Sequence, residues 1–148
     1  MNIYEVTAKN VNSVAVIQKN SLPRRIDKPW GYELLYALTD RYAGKILFIK
    51  KGNRFSLQYH KEKDESMHLF NGRAIMEIES ETGQMENREL NPGDSIRVPP
   101  KTKHRIEALE DTTILEVSTP ELTDVVRIDD DYGRKGRVQA TAAAKHRS

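Results

Sequence analysis

The stretch FSLQYHKEKDE, residues 55–65, decides how the chain is read. In an extended strand, alternate side chains share a face and recur about 7 Å apart along it. Phe55, Leu57 and Tyr59 then take one side, and Ser56, Gln58 and His60 take the other. A charged run follows and ends at Glu65. The second face is polar either because it is wet or because it serves chemistry, and the flanking segments decide between the two.

Those segments read as short strands divided by turn signals. GYELLYAL (31–38) and GKILFIKKG (44–52) precede the stretch. SMHLFNG (66–72) follows and ends in Asn71-Gly72, a strong hairpin signal. RAIMEIES (73–80) alternates, with Ala74, Met76 and Ile78 on one face. ETGQ (81–84) and NPGD (91–94) are turns with glycine or proline in turn positions. SIRVPP (95–100), HRIEAL (104–109) and TTILEVST (112–119) complete the series. No helical period is sustained. Many short strands spaced by turns predict an all-β sandwich or barrel.

The ends differ from this middle. Residues 13–18, SVAVIQ, read as one more strand in an N-terminal extension over 1–25. The domain proper is expected over 26–128, and 129–148 read as a basic, flexible tail. The N-terminus has neither the basic start nor the apolar run of a signal peptide. No apolar run is long enough to span a bilayer. With no cysteine, disulfides and thiolate metal sites are excluded, and a cytoplasmic setting is the natural expectation. A net charge of +2 gives no reason to expect nucleic acid as a partner. A homodimer is expected, because sheet edges need cover and the 13–18 strand offers a swapped partner for a neighbouring subunit.

The constellation that carries chemistry is Gln58, His60, Glu65 and His104. Two imidazoles, a carboxylate and an amide oxygen suit a divalent first-row metal. A barrel mouth would let them converge although His104 lies far along the chain.

With these positions marked, GNRFSLQYHKEKDESMHLFNG resembles the first motif of the cupin superfamily, with Gly52, Gln58, His60, Glu65 and Gly72 at its spacing. GDSIRVPPKTKH resembles the second motif through Gly93, Pro99 and His104. Gln58 stands where the first histidine is usual. The run R-F-S-L-Q-Y-H narrows the resemblance to the cupin domain of type II phosphomannose isomerases. KPWGYE (28–33), PPKTKHRIE (99–107) and ILEVSTPELTDVVRIDDDYGR (114–134) are similar to further motifs of that family, in the same order. Such domains usually adjoin a nucleotidyltransferase. No such half stands in these residues, so a free-standing version is expected.

The resemblance implies a double-stranded β-helix, or jelly roll, with one metal inside. It implies Gln58, His60, Glu65 and His104 as ligands. Zinc is the first choice, and nickel, manganese, cobalt or iron fit the same donors. It also implies interconversion of mannose 6-phosphate and fructose 6-phosphate. The base candidates are Lys45, Lys63 and Glu116, of which Lys45 and Glu116 form the catalytic assignment. Lys63 stands where the family has an arginine and joins Arg54, Arg127 and Arg134 as candidates to hold the phosphate. The alternative is a non-catalytic, metal- and sugar-binding cupin with a regulatory role. A third reading is oxygen chemistry on His60, Glu65 and His104.

Overall fold

The computed structural model describes residues 22–135. These fold into eleven strands without a helix: β1 (Arg24–Lys28), β2 (Gly31–Leu38), β3 (Ala43–Ile49), β4 (Leu57–Tyr59), β5 (Glu65–Asn71), β6 (Ala74–Glu79), β7 (Met85–Leu90), β8 (Ser95–Val98), β9 (His104–Ala108), β10 (Thr112–Ser118) and β11 (Val126–Asp129). Two antiparallel sheets result, ordered β1-β2-β3-β10-β5-β8 and β11-β4-β9-β6-β7. This is the all-β jelly roll that the turn spacing and the motifs predict. The candidate strand 13–18 and the tail beyond residue 135 lie outside the described residues.

The strands that sequence patterning misses are β1 (RRIDK), β7 (MENREL) and β11 (VRID). Each lies at the edge of its sheet. An edge strand can remain wet on much of its surface, so it need not alternate polar and apolar residues. The Asn71-Gly72 signal is corrected in kind. It joins β5 in one sheet to β6 in the other, so it is a corner between sheets and not a hairpin. A hairpin does form where ETGQ predicts it: Ser80 N–H donates to the Gln84 carbonyl at 2.8 Å, and β6 pairs with β7.

The inward stripes divide the interior into two halves. On β3 the buried run passes from Lys45 to Leu47 and Ile49. On β5 it passes from Glu65 to Met67 and Leu69, and on β9 from His104 to Ile106 and Ala108. On the central strand β10, Glu116 lies opposite Lys45 and Met67, and Ile114 lies opposite Leu47 and Leu69. Registry therefore gathers the charged residues at one end and an apolar plug at the other. The plug includes Trp30 and Phe55, whose rings lie 4.5 Å apart at the boundary between the halves. Each such aliphatic or aromatic burial contributes about 1.5–3 kcal/mol, so the plug can anchor a polar pocket that contributes little to stability itself. Tyr132, beyond β11, packs against this core, and its hydroxyl donates to Asn53 at 3.2 Å.

The corner at Gly72 is sterically closed. Its φ is +94°, and a Cβ there would lie 2.4 Å from the Asp111 carbonyl oxygen. Gly83, in the ETGQ hairpin, has φ +81° and open space around it. Gly83→Ala should cost about 1 kcal/mol, the strain of the left-handed region alone. Gly72→Ala should cost clearly more, about 3 kcal/mol, because backbone must also move. Urea unfolding of both variants checks this, and equal costs would contradict the closed corner.

Candidate metal centre

The polar face of residues 56–60 points into the barrel, which answers the question raised by the sequence. Ser56 and His60 are buried, and both line the interior pocket with Gln58. His60 ends this segment, Glu65 opens β5, and His104 opens β9. All three are buried, and their ligand atoms lie within 4.8 Å of one another.

Hydrogen bonding fixes the imidazoles. His104 Nδ1 donates to the Thr102 carbonyl at 2.9 Å. His60 Nδ1 donates to the Asp124 backbone carbonyl. With each Nδ1 carrying the proton, each Nε2 presents a lone pair inward. Those two nitrogens lie 3.4 Å (His60) and 2.9 Å (His104) from Glu65 Oε1. None of the three atoms has a hydrogen-bond partner. With both rings neutral, three buried acceptors face one another, an arrangement costly to bury unless a cation satisfies it. The donor set, two imidazole nitrogens and a carboxylate oxygen, fits a first-row divalent metal.

Neighbouring residues hold the set in place. The Asp124 carboxylate accepts from the backbone N–H groups of Lys61, Glu62 and Lys63 at 3.0, 2.6 and 3.0 Å. Burial would raise the Asp124 carboxyl, but these bonds outweigh it and hold it below the usual range. The second oxygen of Glu65, Oε2, accepts from Lys63 Nζ at 2.7 Å, and the same ammonium donates to Glu116 Oε1 at 2.9 Å. Burial opposes the charge on Glu65, yet the Lys63 ammonium keeps its carboxyl well below the usual range. Lys63 itself is held above its ordinary value, since Glu116 and Glu65 outweigh its burial. Burial pushes the Glu116 carboxyl up to about 7, Lys63 opposing and Glu65 adding to the rise.

A second charged cluster occupies the same pocket. Glu33 receives Lys45 Nζ at 3.1 Å and Lys28 Nζ at 3.8 Å. Arg127 and Arg134 also line the pocket, and Arg134 is paired with Asp130 at 2.8 Å. Burial lowers the Lys28 ammonium, Glu33 partly restores it, and nearby Lys45, Arg134 and Arg127 lower it further. The lining holds more cationic side chains than carboxylates, in a space of about 450 Å³ with its open mouth included.

The structure therefore brings together His60, Glu65, His104, Lys45, Lys63, Glu116, Arg127 and Arg134 from the sequence expectation. Gln58 lies beside them, and its Oε1 accepts from the Ser56 hydroxyl at 2.7 Å. Arg54 is placed elsewhere. It bridges across to Glu107 through the backbone, and its side chain forms a two-pronged pair with Asp131, at 2.7 and 2.9 Å, away from the pocket. Sequence reasoning overlooks Glu33, Lys28 and Asp124. The signal for Glu33 was a charge on the same strand face as buried Leu35.

Two antiparallel sheets closed around a buried His-Glu-His cluster define a cupin. The chain belongs to the family described as mannose-6-phosphate isomerase C-terminal, whose profile matches residues 17–130. Among solved structures it is similar to KdgF from Halomonas sp., at 24% identity and a TM-score of 0.59, over 65% of this chain and 86% of that one. It is also similar to oxalate decarboxylase from Bacillus subtilis, at 21% identity and a TM-score of 0.61, over 71% of this chain and 29% of that one. The capsular polysaccharide assembling protein CapF from Staphylococcus aureus aligns at 16% identity and a TM-score of 0.59, over 72% of this chain and 34% of that one. These likenesses establish the fold. An acireductone dioxygenase from Bacillus pumilus is 33% identical over 63 residues, 43% of this chain. The match spans only 36% of that relative's length. Among the described residues no helix is long and apolar enough to cross a membrane.

The Glu33 cluster makes a pH prediction. Burial would raise the Glu33 carboxyl, but the ammonium groups of Lys45 and Lys28 outweigh it and leave it below the usual range. A depressed carboxyl contributes stability above its unfolded value, about 4.3, and loses that contribution as pH falls through the lower folded value. Glu33→Gln should reduce stability at pH 7 by about 3 kcal/mol, since it leaves buried ammonium groups uncompensated. It should also flatten the loss of stability as pH falls below about 4.3. Urea unfolding across pH 3–7 checks both, and parallel curves for the two proteins would contradict the assignment.

Proposed function

We propose that the pocket isomerises a sugar phosphate, interconverting mannose 6-phosphate and fructose 6-phosphate. The observation that supports this most directly is the presence, in one pocket, of three unsatisfied metal-type acceptors and a group of cationic side chains. His60, Glu65 and His104 would hold the metal, with Gln58 as fourth ligand and zinc as the first candidate. A divalent ion bound there would polarise the sugar carbonyl and so acidify the neighbouring C–H.

The chain's own residues would do the rest. Glu116, on the central strand and bonded to Lys63, is the candidate to take the proton from C2 and return it to C1. Lys63 holds that carboxylate and Glu65 in fixed relation. Lys45 stays tied to Glu33, and its role is a fixed positive charge beside the reacting oxygens. Arg127 and Arg134 would meet the phosphate, for which an arginine fork is suited. Arg54, engaged with Asp131 outside the pocket, would play no part in holding it.

A second reading has specific support. The same three ligands form a two-histidine, one-carboxylate set used in oxygen chemistry, and the acireductone dioxygenase match covers part of this chain. One experiment separates the two. Metal-loaded protein is assayed for mannose 6-phosphate turnover and, loaded with iron, for oxygen uptake. The isomerase reading expects turnover without oxygen uptake, and a fall in kcat of about 10²–10⁴-fold in Glu116→Gln. Oxygen uptake without isomerisation, or turnover unchanged in Glu116→Gln, would overturn it.

A further inference from the structure

Lys28 closes β1 and pairs with Gly31 across the turn Pro29-Trp30. The turn is anchored on both sides. The Trp30 side chain is buried against Phe55, and the Trp30 carbonyl accepts from the Lys50 N–H at 2.9 Å. Lys28 is therefore held in place from its backbone, and its side chain lines the pocket. That side chain is only 8% exposed. A lysine stem is long enough to carry its charge to water from most positions, and a buried ammonium normally ends on acceptors. This one does not. Glu33 Oε1 stands 3.8 Å away, too far for a hydrogen bond. Glu33 is engaged through its other oxygen, which accepts from Lys45 Nζ at 3.1 Å. Among the described residues, no hydrogen bond ends on the Lys28 ammonium.

The surroundings do not explain the charge either. Burial disfavours it most, Glu33 supports it, and Lys45, Arg134 and Arg127 oppose it. Of the Arg134 fork, Nε and Nη2 are taken by Asp130 at 3.1 and 2.8 Å. Cations gathered around an ammonium with unused donors repel one another until a ligand brings negative charge among them. A side chain that only balanced Glu33 would close to hydrogen-bond distance on it, as Lys45 does.

We propose that Lys28 binds the anionic group of the substrate, adding its free ammonium donors to Arg127 and Arg134. That this group is a phosphate rests on the sugar-phosphate reading above; the assignment of Lys28 to it does not. A phosphate and a carboxylate offer the same chemistry here, charged acceptor oxygens, and the probes below tell them apart. Glu33 keeps Lys28 charged but holds it too loosely to compete with an oxyanion that accepts its hydrogen bonds directly. Lys28 is then a specificity residue, because a neutral sugar would leave its donors buried and unused.

The test is calorimetric titration of the full chain, as purified and at equal metal content in every variant. The probes are mannose 6-phosphate, mannose, and mannuronate, which carries a carboxylate in place of the phosphate-bearing carbon. The wild-type chain should bind one of the two anions about 10-fold or more tightly than mannose. Lys28→Met should weaken that anion by about 10-fold or more, leave mannose unchanged, and be largely rescued by Lys28→Arg. Arg54→Met removes the same charge outside the pocket and should leave anion binding intact. Lys45 still satisfies Glu33 in Lys28→Met, so the fold should hold, and the urea midpoint checks it; Lys28→Gln carries the same test if that variant does not fold. Loss of stability with anion affinity unchanged would overturn the proposal, leaving Lys28 a structural partner of Glu33. So would a wild-type chain that prefers neither anion to mannose. Preference for mannuronate, lost in Lys28→Met, would uphold Lys28 and count against the sugar-phosphate reading alone.

Discussion

The interior is organised around one carboxylate oxygen. Glu65 Oε1 sits under two imidazole nitrogens, all three buried and all three acceptors. Such a contact is repulsive unless something positive lies between its members. The rest of the polar half is arranged to tolerate it. Backbone carbonyls fix both ring tautomers, Asp124 ties down the loop after His60, and Lys63 occupies the other oxygen of Glu65. The apolar half of the barrel supplies the stability that lets this arrangement exist.

A consequence is that charge in this pocket is shared. Lys63 serves both Glu65 and Glu116, and Glu33 serves both Lys45 and Lys28. Buried pairs of this kind are poor sources of stability, since desolvation offsets much of their attraction. Their presence in a barrel lining that aliphatic residues could fill points to a functional requirement. The excess of cationic over anionic side chains in the lining makes its field favourable to negative charge.

Much of the site was legible because strand periodicity reports a face directly. The alternation Ser56-Gln58-His60 gives the inward stripe, and the motif spacing carries it to Glu65 and His104 across a corner that no local rule would bridge. What was not legible depended on tertiary context. Arg54 adjoins the ligand strand in sequence, but Phe55 beside it turns inward against Trp30, so the arginine turns outward to Asp131. Edge strands β1, β7 and β11 carry little apolar pattern, so they were invisible to period counting, although β1 brings Lys28 to the pocket and β11 brings Arg127. The Asn71-Gly72 turn was recognised but its geometry was not. Turn chemistry specifies φ, not which sheet the next strand joins.

The most direct test of this account is the metal content of the protein purified without added metal and without a histidine tag, followed by titration with zinc. The account predicts one divalent ion bound per chain, and loss of that binding in the His60→Ala, His104→Ala double variant while the protein stays folded. Failure to bind zinc, nickel, manganese, cobalt or iron, or binding that survives the double substitution, would contradict it.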